Sequence, residues 1–171
     1  MAKNKKPRKA YRPRNSNPFA SMNIVGRMAM KQNKSPMGRE AQQLHSTLYW
    51  GSLDDLLSGN GDGAMAATHL AIAANLALVL CEEGFGSECM PEIHAAQEAI
   101  VRTIDRGERT NRWGLTGPDA NAIRVMLDIH EQQIESEECT VGIWACAIES
   151  ISRRMANGDV IRIADDESVS A

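Results

Sequence analysis

The feature that most constrains the fold is a long apolar segment near the middle of the chain. Residues from Ala64 to Cys81 are mostly Ala, Leu, Ile and Val, so a helix here would be apolar on nearly every side. Such a helix lies either at the centre of a bundle or in a membrane. Thr68, His69 and Asn75 interrupt the apolar run, which favours the bundle core. We therefore predict a central buried helix, no transmembrane segment and no membrane partner.

The segments around this run have the apolar spacing of amphipathic helices and end at turn residues. Only 4% of the chain is aromatic, and its apolar residues are mainly helix formers, which favours an all-α fold. Short connections predict an antiparallel bundle of about four to five helices. The predicted helices span residues 36 to about 58, 64–83, about 91–106 up to Gly107, 117 onward after a Thr116 cap, and 141–157 after a Thr140 cap.

Charge divides the chain into two unequal parts. Residues 1–39 contain eleven Lys and Arg and no Asp or Glu, whereas all 22 acidic residues lie at or after Glu40. The first residues also contain few apolar side chains, so ordering them would bury too little surface to offset the loss of chain entropy. We expect a basic, largely disordered arm over residues 1–34, a helical bundle over 35–158, and a short extended piece with an acidic tail over 159–171.

The arm has the composition of a segment that contacts nucleic acid. Its bases can neutralise phosphates, and an aromatic ring among them can stack on a base. Flexible basic residues contact mainly phosphates, so the binding would be salt-sensitive and poorly sequence-selective. A solubilising or targeting tail would have the same composition. The candidate nucleic-acid-binding residues are Lys5, Lys6, Arg8, Lys9, Tyr11, Arg12 and Arg14.

Residues 18–30 differ from the rest of the arm because they are apolar among bases. They could form a short docking helix that binds another protein. The same side chains could instead close this chain's own core or a homodimer interface, and the sequence leaves these alternatives open. The candidate partner-binding residues are Phe19, Met22, Ile24, Val25 and Met28.

The spacing of candidate ligands along the sequence gives little support for a metal site. The turn from Ser58 to Gly63 resembles part of a calcium-binding EF-hand loop, but Ser58 replaces the first carboxylate and His69 stands where the bidentate Glu belongs. The histidines fall on different predicted helices, and the cysteines lack CxxC spacing, so a zinc site would have to be assembled in three dimensions. We predict no metal and no cofactor. The residues concerned are His45, His69, His94, His130, Cys81, Cys89, Cys139 and Cys146.

Catalytic signatures are likewise lacking. His130 lies on the apolar stripe of its predicted helix beside Glu131, a position typical of a hydrogen-bonded core or rim histidine rather than a general base. The chain contains no P-loop, no G-x-S-x-G motif and no dinucleotide fingerprint. Neither connection that could form a helix-turn-helix precedes a basic recognition helix. We therefore expect a non-enzymatic protein, cytoplasmic because no secretory signal precedes the basic residues.

Two stretches of sequence resemble small uncharacterised accessory proteins of bacterial prophages and plasmids. One is Tyr11-Arg-Pro-Arg14 with Asn17-Pro18; the other runs from Leu115 through Arg124 to His130. The resemblance implies a bacterial mobile element and a non-enzymatic accessory role, and it carries over no functional residue. The leading hypothesis is an accessory or regulatory protein that binds nucleic acid or an acidic surface through its arm. The alternative is an inhibitor or adaptor that binds a host or phage protein through residues 18–30 or a bundle face.

Overall fold

The computed structural model describes residues 24–59 and 61–157 and shows an all-α bundle. The predicted fold class is confirmed. The described part contains six α-helices and one short 3-10 helix at Ser87–Cys89. The predicted extended piece at residues 160–163 and the acidic tail lie outside the described residues. The helices are α1 (Ile24–Lys31), α2 (Arg39–Ser58), α3 (Gly63–Glu82), α4 (Met90–Thr110), α5 (Gly117–Glu135) and α6 (Val141–Asn157).

Helix α3 is the central helix, as its composition predicts. It contacts α2, α4, α5 and α6, and 13 of its 20 residues are buried. Among the described helices it alone is long and apolar enough to cross a membrane, and most of that apolar surface is buried inside the bundle. The burial of α3 on all sides is what allows one apolar segment to hold four neighbouring helices together.

The polar residues that interrupt α3 all have hydrogen-bond partners. Asn75 is fully buried, and its Oδ1 accepts a 3.0 Å hydrogen bond from Gln97 on α4. His69 Nδ1 lies 3.0 Å from the Ser52 hydroxyl on α2. Each pair satisfies polar atoms that would be costly to bury alone, and each links α3 to a different neighbour.

Two helix boundaries differ from the predicted ones. Helix α4 continues through Gly107 to Thr110, where Asn111 adopts a left-handed conformation and donates to the Gly107 carbonyl oxygen at 2.8 Å. Gly107 is therefore not a terminator. Helix α2 begins at Arg39 rather than at Pro36. Pro36 instead forms an isolated antiparallel bridge with Thr140. The backbone at Pro36 is therefore paired with another segment and does not belong to the helix.

The predicted starts of α5 and α6 are confirmed by their Thr116 and Thr140 caps. Thr116 accepts a hydrogen bond from the Asp119 backbone N–H at 3.3 Å, and its hydroxyl donates to the Asp119 carboxylate at 2.7 Å. Arg102 on α4 also donates to that carboxylate, at 2.8 Å. Although burial acts in the opposite direction, the hydrogen bonds from Arg102 and Thr116 hold the pKa of Asp119 below its usual value. This cap therefore also ties α5 to α4.

Candidate functional site

The candidate nucleic-acid-binding residues of the arm lie outside the described residues. Of the candidate partner-binding residues, Phe19 and Met22 also lie outside them, and Ile24 is described only through its backbone. The structure does place Val25 and Met28, together with the last four bases of the basic region. The candidate functional surface consists of helix α1 and the connection that follows it, both of which rest on α6.

Residues 32–36, the first part of the connection between α1 and α2 at 32–38, cross the first turn of α6, and we call them the strap. The Val141 N–H donates to the Ser35 carbonyl oxygen at 2.9 Å, and the Gly142 N–H donates to that of Asn33 at 2.8 Å. These N–H groups belong to the first turn of α6 and have no acceptor within the helix. The strap thus caps α6 and is held by it.

Gly142 makes this close approach possible. A Cβ atom at this position would lie 2.9 Å from the Asn33 carbonyl oxygen and closer still to that of Lys31. Real Cβ atoms do not approach backbone oxygens so closely, so any larger residue would push the strap away from α6. The sequence contains one signal of this packing, a glycine two residues after the Thr140 cap. This glycine does not reveal which segment of the chain packs against it.

Charge fixes α1 along the same helix. Lys31 forms an ion pair with Glu149 on α6. The hydrogen bond from Lys31 is the main cause that holds the pKa of Glu149 below its usual value, and the charges of Arg27 and Arg153 act in the same direction. Three bases therefore surround one carboxylate, and the edge between α1 and α6 is net positive.

Helix α1, the described part of the docking segment at residues 18–30, packs on α6 but leaves the contact residues Val25 and Met28 exposed. Val25 is 74% exposed and Met28 is 61% exposed, whereas Gly26 and Met30 are partly covered. The two sides of α1 therefore correspond to the two alternatives for this segment. One side packs on this chain's own helix α6, and the opposite side exposes apolar surface that a partner could contact. We call this surface the α1 face.

The strap also covers a cleft of about 620 Å³ at the start of α6. Its lining includes the bases Lys31 and Lys34, the acid Glu83 and the exposed Cys146. Arg27, Lys34 and Arg39 all have exposed side chains, and no acidic residue precedes Glu40. The described part of the basic region therefore exposes positively charged side chains before, within and after the strap.

Two histidines meet in the core, where α2, α5 and α6 converge. His45, Tyr49, His130 and Trp144 form a closed group of rings, with centroids 4.8 Å apart for His45–Trp144 and 5.8 Å apart for His130–Trp144. The His130 side chain is 1% exposed. Burial lowers the pKa of His130 to about 4 and also lowers that of His45, so both rings are neutral near pH 7. His130 is therefore a core histidine, as its place on the apolar stripe predicted; its Nδ1 has a hydrogen-bond partner and its buried Nε2 has none among the described residues.

Gln133 determines which nitrogen of His130 carries the proton. Its Nε2 donates to the carbonyl oxygens of Phe85 at 2.8 Å and Ala77 at 3.1 Å. Its Oε1 must therefore accept, and it lies 3.3 Å from His130 Nδ1, which donates. The side chain of Gln133 thus joins α5 to the end of α3 and holds His130 in one tautomer.

The remaining candidate residues do not meet at one site among the described residues, although Cys81 and Cys89 lie close enough to interact. All four cysteines are free, and burial raises the pKa of Cys81 and Cys139 to about 11, which keeps both thiols protonated. His94 is exposed and contacts Gln97. Among the described residues, no three or more His, Cys, Asp or Glu side chains are grouped so that they could hold a metal ion.

Comparisons with protein-family models, with curated proteins and with solved structures find no match for this chain.

Proposed function

We propose that this protein is a non-enzymatic accessory or regulatory protein that binds nucleic acid through its basic N-terminal region. The observation that carries the proposal is the charge distribution: eleven bases and no acid in residues 1–39, against eight bases and 22 acids in the rest. An acidic bundle repels a polyanion, so attraction must come from the N-terminal region. The resemblance to prophage and plasmid accessory proteins supports a bacterial mobile element as the context.

The packing of the strap supports this function. Because the strap is hydrogen-bonded to α6, the described bases before and within it, Arg27, Lys31 and Lys34, are held at a fixed place on the bundle. Arg27, Lys34 and Arg39 are exposed there and can add phosphate contacts to those of the arm. Phosphate contacts made in this way supply affinity and little sequence preference.

A mobility-shift assay with duplex and single-stranded DNA at low salt tests the proposal. We expect the full chain to bind and a variant lacking residues 1–17 to lose binding. Replacement of Arg27, Lys34 and Arg39 by Ala should weaken binding and reduce its salt dependence. The matched control replaces three exposed bundle bases, Arg109, Arg112 and Arg124, by Ala and should bind like the unmodified chain. No binding by the full chain, or equal binding by the truncated one, would reject the function.

One observation favours a second candidate function, that of an inhibitor or adaptor directed at a host or phage protein. The α1 face is apolar and exposed, as a surface for a protein partner would be. Co-purification from a bacterial lysate with and without nuclease distinguishes the two functions. A protein partner retained after nuclease treatment and lost in a Met28→Glu variant would favour the adaptor over nucleic-acid binding.

A further inference from the structure

Two exposed apolar surfaces lie on different helices of the bundle. The first is the α1 face, with Val25 and Met28 exposed by 74% and 61%. The second is on α2, where Leu44 is 69% exposed and Leu48 is 40% exposed. Two large apolar side chains exposed side by side on one helix face offer a surface that a second apolar surface can cover.

The surface on α2 has the shape of a helix-packing site. Ala41, Leu44, Leu48 and Gly51 are spaced by three, four and three residues, which places them on one stripe of the helix. Ala41 and Gly51 are exposed, and a Cβ at Gly51 would meet nothing within 4 Å. Two leucines flanked by small residues allow a second helix to approach closely. We call this stripe the α2 face.

The two faces carry opposite charge at their edges. Arg27 and Lys31 flank the α1 face, and Arg153 adds a further base beside them. Glu40 and Asp54 lie beside the α2 face, Asp55 continues its stripe towards the end of α2, and all three have exposed side chains. Arg39 is the one Lys or Arg on α2, and at 100° per residue it projects from roughly the opposite side of the helix.

Repulsion between like charges disfavours the packing of either face on the same face of a second copy. In an antiparallel α2–α2 pair, Glu40 of one copy would approach Asp54 and Asp55 of the other; in a parallel pair, acids would meet the same acids. An α1–α1 pair would bring Arg27 and Lys31 together in the same way. An α1 face against an α2 face instead joins apolar surface to apolar surface and bases to acids.

The geometry points to head-to-tail self-association, in which the α1 face of one copy packs on the α2 face of the next. One molecule cannot make this contact within itself, because the strap and the Lys31–Glu149 ion pair hold α1 against α6. The interface joins two different surfaces, so an open chain of copies keeps one free α1 face at one end and one free α2 face at the other. The contact requires no nucleic acid, so its test is independent of the proposed function.

Sedimentation velocity of the nuclease-treated full chain over a range of concentrations, at low and high salt, tests the proposal. We expect the average mass to rise above that of one subunit with concentration and to fall with added salt, because the flanking charges are exposed. Met28→Glu on the α1 face and Leu44→Glu on the α2 face should each weaken association about tenfold or more, which corresponds to about 1.4 kcal/mol. Both side chains are exposed, so circular dichroism should show unchanged helix content.

Two controls decide between this interface and others. Val101→Glu on α4 replaces a side chain that is 40% exposed, as Leu48 is, and should associate like the unmodified chain. An equimolar mixture of the Met28→Glu and Leu44→Glu variants should form dimers and stop there, because each supplies the face that the other lacks. A chain that stays monomeric at every soluble concentration, or variants that associate normally, would overturn the proposal. A mixture that fails to form dimers would also overturn it, since a head-to-tail contact requires this complementation.

Discussion

The backbone N–H of Gly142 donates a 2.8 Å hydrogen bond to the carbonyl oxygen of Asn33, which lies on the strap. This bond joins residues that are far apart in the sequence, and it satisfies a donor in the first turn of α6 that the helix itself cannot satisfy. The position of α1, and therefore the exposure of its outer face, depends on this contact.

Replacing Gly142 with Ala should destabilise the fold by about 1–3 kcal/mol, because the added methyl group would overlap backbone oxygens of the strap. Urea unfolding measures the change. Gly51→Ala is the matched control: it lies in a helix with open space around it and should be neutral or stabilising by up to about 1 kcal/mol. Equal stability of the two variants would contradict the role assigned to Gly142.

The bundle should lose stability between pH 7 and pH 5 because of His130. Its folded pKa is about 4, below the ordinary value of 6.5, so the unfolded chain takes up a proton in this range and the folded one does not. The loss begins as the pH falls through about 6.5 and is complete near pH 4, where it reaches about 3 kcal/mol. His45 acts in the same direction.

Urea unfolding of a His130→Leu variant at both pH values checks this origin. The variant should show a flatter dependence of its free energy of unfolding on pH, whereas the exposed His94→Ala control should keep the slope of the unmodified chain. Carboxylates with lowered pKa values, such as Asp119 and Glu149, titrate at more acidic pH and do not contribute in this window. An unchanged slope in the His130 variant would refute the assignment.

Replacing Gln133 with Leu should cost about 3 kcal/mol of stability. The change would leave the carbonyl oxygen of Phe85 and the Nδ1–H of His130 without the donor and the acceptor that Gln133 supplies, and each such loss costs about 1–3 kcal/mol. Thermal or urea unfolding measures it. Gln132→Leu is a control with the same chemistry at an exposed position and should change stability little.

Gly107 and Trp113 should show strong coupling in a double-mutant cycle. A Cβ at Gly107 would lie 2.6 Å from Cε2 of the Trp113 ring, so Gly107→Ala alone should destabilise the fold. In a Trp113→Ala background the same change should instead be stabilising by about 0.5–1 kcal/mol, since Ala is the better helix former. A Gly107→Ala effect of the same sign in both backgrounds would show that the ring does not require this glycine.

Local sequence signals predicted the fold class because helix formation depends on nearby residues. The all-round apolar composition identified α3 as the central helix, and the Thr116 and Thr140 caps located the starts of α5 and α6. The same local logic failed at Gly107, which serves as a packing surface for Trp113 rather than as a helix end. It also failed at Pro36, which pairs with Thr140 instead of opening α2.

By itself the sequence determined which segments are helical and where the charge lies, since both follow from residue type and spacing. It also identified residues 18–30 as an apolar segment that needs a surface. Only the tertiary structure decided that α1 rests on α6 through the strap and Lys31, with Val25 and Met28 turned outward. Periodicity defines the faces of a helix, but which face is covered depends on backbone contacts between residues as distant as Asn33 and Gly142.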